Sequence, residues 1–322
     1  MSIILLWVSK MDKLDIKIIR ELVQPTPFVT LREGQRRSFR SMSRKLGASD
    51  GVVAKRVDRL VLSGFIKGFP LMLNTNLLGL KVGALILELK ASTPMKELAE
   101  KLSLVDGLFV VQTYLFGSVG VTFYYRDDES FEKKAELIST VAGALSAKLA
   151  RIPFPESTVL LSKSDWRIIS RLQRNVDMSF GEISEELQMS TRTVRRRMVR
   201  MTKGAVIFTI ASMDVTAIRE GVIADLIIEY DTPRSRPQAD KMLCELLEPY
   251  YYFTGLWEGF SSFAIILPSI SKSKEILETV RRAEGIKSAN VELVEDRYEF
   301  YDCLYEAVDR KLASLKSISS RS

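Results

Sequence analysis

The stretch SFRSMSRKLGASDGVVAKRVDRLVLSGFI (38–66) returns 141 residues later as SFGEISEELQMSTRTVRRRMVRMTKGAVI (179–207). Ser38, Phe39, Ser43, Leu46 and Ser49 match Ser179, Phe180, Ser184, Leu187 and Ser190. The ungapped register continues: Val53, Arg56, Arg59 and Ile66 meet Val194, Arg197, Arg200 and Ile207. Further on, LILEL (85–89) meets LIIEY (226–230), and Leu115 meets Leu256. Upstream, DIKIIREL (15–22) aligns with DWRIISRL (165–172) at an offset of 150, so the first copy carries an insertion within QPTPFVTLREGQRR (24–37). Short apolar coincidences rarely hold register over such a span, and the pattern reads as a tandem repeat.

Each copy opens with three short helical patterns. In the first, Leu14, Ile18 and Leu22 form one stripe over 12–23, the spacing of an amphipathic helix. A second helix is predicted over 38–46, closed by Gly47, and a third runs from the N-cap Ser49 to about Leu62. SGFIKGFPLML (63–73) then predicts a turn and a short hairpin, completing a winged helix-turn-helix. The rest of the copy alternates: strand 82–89, helix 94–103, strands 107–117 and 119–125, helix 130–145, and a last strand near STVLL (157–161). The second copy repeats this with strand 222–230, helix 237–247, strands 252–257 and 260–267, helix 271–283 and strand 288–294. That order is the βαββαβ of a ferredoxin-like domain. The expected fold is α+β, with winged helix-turn-helix domains at 1–78 and 163–215, ferredoxin-like domains at 79–162 and 216–296, and a C-terminal helix and tail at 297–322.

Composition narrows the function. The net charge is +7, but residues 1–70 alone carry +8 and residues 160–213 carry +5, so the remainder is acidic. Two separate basic segments are the footprint of a protein that meets phosphates; a membrane surface would attract them as well, so charge alone does not decide. There is no histidine, which removes imidazole acid-base catalysis, Ser-His and Cys-His pairs and the common zinc sites. No glycine-rich phosphate loop is present, and Cys244 and Cys303 form no metal spacing or disulfide framework. No cofactor is therefore expected, and a cytoplasmic setting fits the cysteine usage. The apolar run IILLWV (3–8) is too short to span a bilayer and lacks the flanks of a signal peptide; it is expected to be an extra strand or arm.

A helix-turn-helix followed by a βαββαβ domain resembles the leucine-responsive regulatory protein/AsnC family of transcription regulators. LGASDGVVAKRVDRLVLSGFI (46–66) and LQMSTRTVRRRMVRMTKGAVI (187–207) carry the resemblance. Family members usually have one copy, and FTIASMDVTAIREG (208–221) matches the wing region weakly. The resemblance implies a double-stranded DNA partner, an amino-acid-like effector, and pairing of the two ferredoxin-like domains into an intrachain pseudo-dimer. It also implies ligand contact at the turns LFGSVG (115–120) and LWEGFS (256–261), through Gly117, Glu258 and Gly259. The same plan is similar to that of sirohaem decarboxylases, tetrapyrrole enzymes that rely on histidines this chain lacks. A third alternative is a non-enzymatic assembly module that uses its helix-turn-helix domains for protein contacts.

Helical geometry assigns faces. With Val194, Met198 and Met201 inward, Arg192 and Arg196 point away, Arg195 and Arg200 flank them, and Arg197 sits at the edge of the buried stripe. Ser190, Thr191 and Thr193 stand at the end that approaches bases in a helix-turn-helix. In the first copy Val53, Val57 and Leu60 face inward, leaving Gly51, Lys55, Asp58 and Arg59 outward. Its basic charge lies earlier, in Arg36, Arg37, Arg40, Arg44 and Lys45, where the second copy has Glu182, Glu185 and Glu186. The expectation is a division of labour in which the second unit reads bases and the first grips phosphates. Finally, Tyr298, Tyr301, Tyr305, Val308, Leu312 and Leu315 form a heptad stripe, expected to pack on the chain's own sheet.

Overall fold

The first helix is opened by a reciprocal cap. Asp12 accepts from the amides of Leu14 and Asp15, and the Asp15 carboxylate accepts from the Asp12 amide, opening α1 (Lys13–Val23). This reciprocal pairing satisfies amides that a helix start leaves without partners. α2 (Arg40–Leu46) ends on Gly47 in the left-handed conformation, and Ser49 caps α3 (Asp50–Leu62) by accepting from the Val52 amide. In this computed structural model residues 11–24, 39–153, 157–257 and 259–319 are described. The expected N-terminal arm (3–8), Arg36, Arg37 and Glu258 lie outside them.

After the helices come two short strands, β1 (Ile66–Gly68) and β2 (Leu71–Leu73). Next follow β3 (Lys81–Glu88), α4 (Met95–Ser103), β4 (Leu108–Tyr114), β5 (Ser118–Tyr125), α5 (Asp128–Ala142) and β6 (Ser146–Ile152). The second half repeats the order with α6 (Lys163–Arg174), α7 (Phe180–Leu187), α8 (Thr191–Lys203), β7 (Ile207–Thr209) and β8 (Ser212–Met213). It closes with β9 (Val222–Tyr230), α9 (Arg236–Leu247), β10 (Tyr251–Trp257), β11 (Phe260–Leu267), α10 (Ile270–Arg281), β12 (Ile286–Glu299) and α11 (Asp302–Ser319).

The hairpin expected over 63–73 does not form. β1 pairs antiparallel with β8, Ile66 opposite Met213, while β2 pairs antiparallel with β7, Leu71 opposite Thr209 and Leu73 opposite Ile207. The reason lies in the two residues between the strands, Phe69 and Pro70. A two-residue hairpin turn needs positive φ, and proline is locked near −65°. The chain runs on and finds its partners in the other half. The exchange reaches the cores. Leu71, Met72 and Leu73 are buried with Trp166, Ile168, Ile169, Val194 and Met198 of the second three-helix unit. Reciprocally, Ala211, Met213 and Val215 are buried with Ile18, Ile19, Val53 and Leu60 of the first.

The other strands form one eight-stranded sheet in the order β10-β11-β9-β12-β4-β5-β3-β6. Each half contributes four strands in the same relative order, and one ladder, β12 on β4, joins them. That ladder uses residues 294–299, the part of β12 beyond its pairing with β9. At the 141-residue offset the first copy has PFPEST (153–158). Pro153 lacks the amide hydrogen that a ladder needs, and among the described residues β6 and β10 share no ladder and end the sheet. The last strand of the first half is therefore 146–152, not 157–161. Ser157 instead donates to the Gly204 carbonyl at 2.8 Å, and Val159 and Leu161 pack into the second unit's core.

A buried polar chain runs along the closed seam. Tyr114 and Gln112 on β4 donate to the Asp225 carboxylate on β9 at 2.5 and 2.8 Å. Arg297 donates to Gln112 at 3.0 Å and to Glu299 at 2.9 Å, and Glu299 also accepts from Ser212 and Tyr301. Burial raises the Asp225 pKa against the pull of Tyr114 and Arg297. The C-terminal stripe also differs from expectation. Tyr298 lies in β12, and α11 starts at Asp302, burying Leu304 and Val308 with the second unit. It packs on α6, where Ser170 and Arg174 both donate to Asp309, and Phe109 and Tyr124 of the sheet close the same cluster.

The exchange makes a directional prediction. Leu73→Ala removes a fully buried side chain and should cost about 2–5 kcal/mol. Although Leu73 follows the first unit in sequence, amide exchange should accelerate in 163–203 more than in 13–62. Acceleration confined to 13–62 would contradict the exchanged packing.

Candidate nucleic-acid interface

Asp15 and Asp165 are wholly buried, each at the third position of its helix. Arg197 and Arg200 of α8 reach Asp165 at 2.9 and 2.6 Å, and Ser162 donates to it at 2.6 Å. In the first unit Arg56 reaches Asp15 at 2.9 Å and Arg59 closes on the same carboxylate. Two arginines one turn apart thus fasten the third helix of each unit to the start of its first. Arg59 and Arg200, placed outward by the helical wheel, are both paired to these aspartates, and Arg200 remains exposed. Arg197, expected to reach solvent, is paired to Asp165 as well. A buried carboxylate is stable as an anion only when paired and hydrogen-bonded, which accounts for two arginines on each. Burial opposes ionisation of Asp165, but hydrogen bonds from Ser162 and Arg197 outweigh it and hold its pKa below the usual carboxylate range.

Pairing leaves Arg197 only partly exposed, whereas Arg200 keeps 47% of its side chain exposed at the edge of the outer face of α8. Arg192, Arg195 and Arg196 are exposed. Arg195 lies 5.7 Å over the Phe180 ring, so its head leans toward α7. Arg192 and Arg196 make no ion pair or hydrogen bond among the described residues. Together with Thr193 and Val199 these three arginines line a concavity of about 390 Å³. Ser190 and Thr193 are committed to the helix start: the Thr193 amide donates to the Ser190 side chain, and their hydroxyls are 2.9 Å apart. Thr191 donates to Ser184 at 3.2 Å. Val199, 42% exposed, did not figure among the sequence candidates. The 141-residue offset contains a signal for it: the arginines shared by both stretches (Arg56/Arg197, Arg59/Arg200) are the ones paired to Asp15 and Asp165, while Gly51/Arg192, Lys55/Arg196 and Asp58/Val199 differ, and of these Gly51, Arg192, Lys55, Arg196 and Val199 are exposed.

The first unit presents another surface. Lys55 is exposed on α3, and Arg40 and Arg44 are exposed on α2, whereas Lys45 pairs with Glu21 at 2.6 Å. The glutamates at the matching place in the second unit are largely structural. Glu182 completes the capping box of α7, and Glu186 pairs with Arg171 at 2.8 Å.

Of the expected ligand contacts, Gly117 has a backbone explanation. Its φ is +85°, and a Cβ there would lie 3.1 Å from Ala91 Cα and 3.2 Å from the Leu89 carbonyl oxygen. Gly259 also has positive φ, with open space where a Cβ would stand. Among the described residues no group of three or more metal-ligating side chains could hold an ion, and no helix is long and apolar enough to cross a membrane.

Residues 161–202, which span α6, α7 and most of α8, match the AsnC-type helix-turn-helix domain. Over 97 residues the chain is 37% identical to the HTH-type transcriptional regulator Ptr1 of Methanocaldococcus jannaschii. The match covers 30% of this chain and 59% of that regulator. In overall shape the chain is similar to the siroheme decarboxylase NirDL, with a TM-score of 0.53 and 16% identity over 96% of this chain and 100% of that one. The same decarboxylase in complex with an iron-uroporphyrin III analogue gives a TM-score of 0.52 and 16% identity over 95% and 99%. At that identity the likeness concerns the α+β fold alone.

The clamp predicts a pH dependence. The folded pKa of Asp165 lies below its unfolded value of about 3.9, so the stability it contributes is present above that value and is lost as pH falls through the lowered one. Asp165→Asn should cost about 2–3 kcal/mol at neutral pH and flatten the acid limb of the stability curve. Urea unfolding at neutral and acid pH checks this; an unchanged acid limb would refute the role of the carboxylate.

Proposed function

We propose that this chain is a DNA-binding transcription regulator of the leucine-responsive regulatory protein/AsnC type. In this reading it is a tandem repeat of winged helix-turn-helix and ferredoxin-like domains, and one chain supplies both DNA-facing units. The observation that carries the proposal is the outer face of α8, where Arg192 and Arg196 have no ion pair among the described residues while Arg197 and Arg200 are paired with Asp165. Free guanidinium groups on the second helix of a helix-turn-helix match the O6/N7 edge of guanine and phosphate oxygens. The match to an AsnC-type domain over 161–202 and the partial identity to Ptr1 support it.

The units divide the work. α8 reads bases through Arg192 and Arg196, and α2 grips phosphates through Arg40 and Arg44, with Lys55 of α3 exposed in the same unit. A chain-long likeness to the decarboxylase NirDL favours one second reading, a tetrapyrrole-acting enzyme. Iron-uroporphyrin III titrated into the protein separates the two: a saturable shift of its Soret band supports the enzyme reading.

Binding to genomic fragments at two salt concentrations tests the regulator reading. Affinity should fall steeply with salt, since each neutralised phosphate releases counterions. Arg192→Glu/Arg196→Glu should abolish preference for the enriched sequence, at about 1–3 kcal/mol for each arginine–guanine pairing removed. Arg40→Glu/Arg44→Glu should weaken all DNA alike. Equal effects from the two pairs would contradict the division, and no retention at either salt would contradict the reading itself.

A further inference from the structure

Resting on that reading, we infer that Val199 is a specificity-determining residue that reads the methyl group of thymine beside a guanine read by Arg192 or Arg196. Val199 is 42% exposed on a helix whose other valine and both methionines are buried. Single exposed apolar residues are ordinary on protein surfaces. This one shares the lining of the concavity with Arg192, Thr193, Arg195 and Arg196, a face on which Arg192 and Arg196 have no ion pair among the described residues while Arg197 and Arg200 are paired with Asp165.

Positions 192, 196 and 199 follow one another at i, i+4 and i+7 along a single stripe. At 1.5 Å per residue the stripe spans about 10 Å, the rise of about three base pairs. Its two free cationic heads suit guanine. Its apolar end suits the one apolar group that base edges present in the major groove, the C5-methyl of thymine. The matching position in the first unit is Asp58. A carboxylate there cannot make the same contact, so the two units differ in their reading chemistry and not only in charge.

The test uses the full chain and a DNA fragment selected by it. Each thymine of the enriched sequence is replaced in turn by deoxyuridine, which removes only the methyl group. Removing one buried methyl should weaken binding about fourfold at one thymine within about three base pairs of a guanine. Val199→Ala should show the same weakening on unmodified DNA and no further weakening at that deoxyuridine, and it should leave thermal unfolding unchanged. If no deoxyuridine weakens the wild-type protein, or if Val199→Ala remains as sensitive as wild type, the assignment to Val199 is wrong. An intact Arg192→Ala defect beside insensitivity to the methyl group overturns this inference alone. Failure to retain any fragment overturns the regulator reading and this inference with it.

Discussion

Two residues, Phe69 and Pro70, impose the constraint on which the structure depends. They cannot make the positive-φ turn that would fold β1 back on β2, so each strand pairs across the pseudo-symmetric interface instead. The strand after one three-helix unit then completes the core of the other. Small helical units bury too little apolar surface to be stable alone, and here neither needs to be. The two units are held by each other's backbone as well as by the sheet beneath them.

A second proline-based constraint breaks the symmetry. β12 continues six residues past its pairing with β9 and zips onto β4, whereas Pro153 and Pro155 stand in the corresponding part of the first copy. One seam is a ladder lined with the Asp225–Gln112–Arg297–Glu299 chain; the other has no ladder among the described residues and is closed by side chains, Ala84 and Ala150 packing with Ile227 and Phe260 and Lys148 pairing with Glu229. The two helical units are also seated differently. Arg20 of α1 donates to the carbonyls of Glu248 and Tyr251, while α6 rests on α11. A single chain with two dissimilar units suits a target that is itself asymmetric, unlike an isologous dimer, whose identical halves favour a palindrome.

Much of this was legible in the sequence because it is local. The apolar stripe over 12–23, the cap at Ser49 and the stop at Gly47 located the first helices, and strands 222–230 and 260–267 followed from their apolar runs. What escaped was long-range. The hairpin at 63–73 was read from spacing alone, and nothing local announces that Leu71 faces Thr209. The helical wheel placed Arg200 and Arg59 outward because it knows the angle of a side chain but not the buried carboxylate within its reach. Val199 was passed over for the same reason: its exposed neighbours drew attention as charges, and its own meaning appears only when the inward arginines are subtracted.

The central claim is that one chain carries both non-equivalent units onto DNA. The most direct measurement is the stoichiometry and symmetry of the complex on the selected site, by sedimentation and hydroxyl-radical footprinting. The account predicts one chain per site on a sequence that is not palindromic, with Arg192→Glu/Arg196→Glu erasing protection on one side only. Two chains on a palindromic site, with both sides erased together, would contradict it.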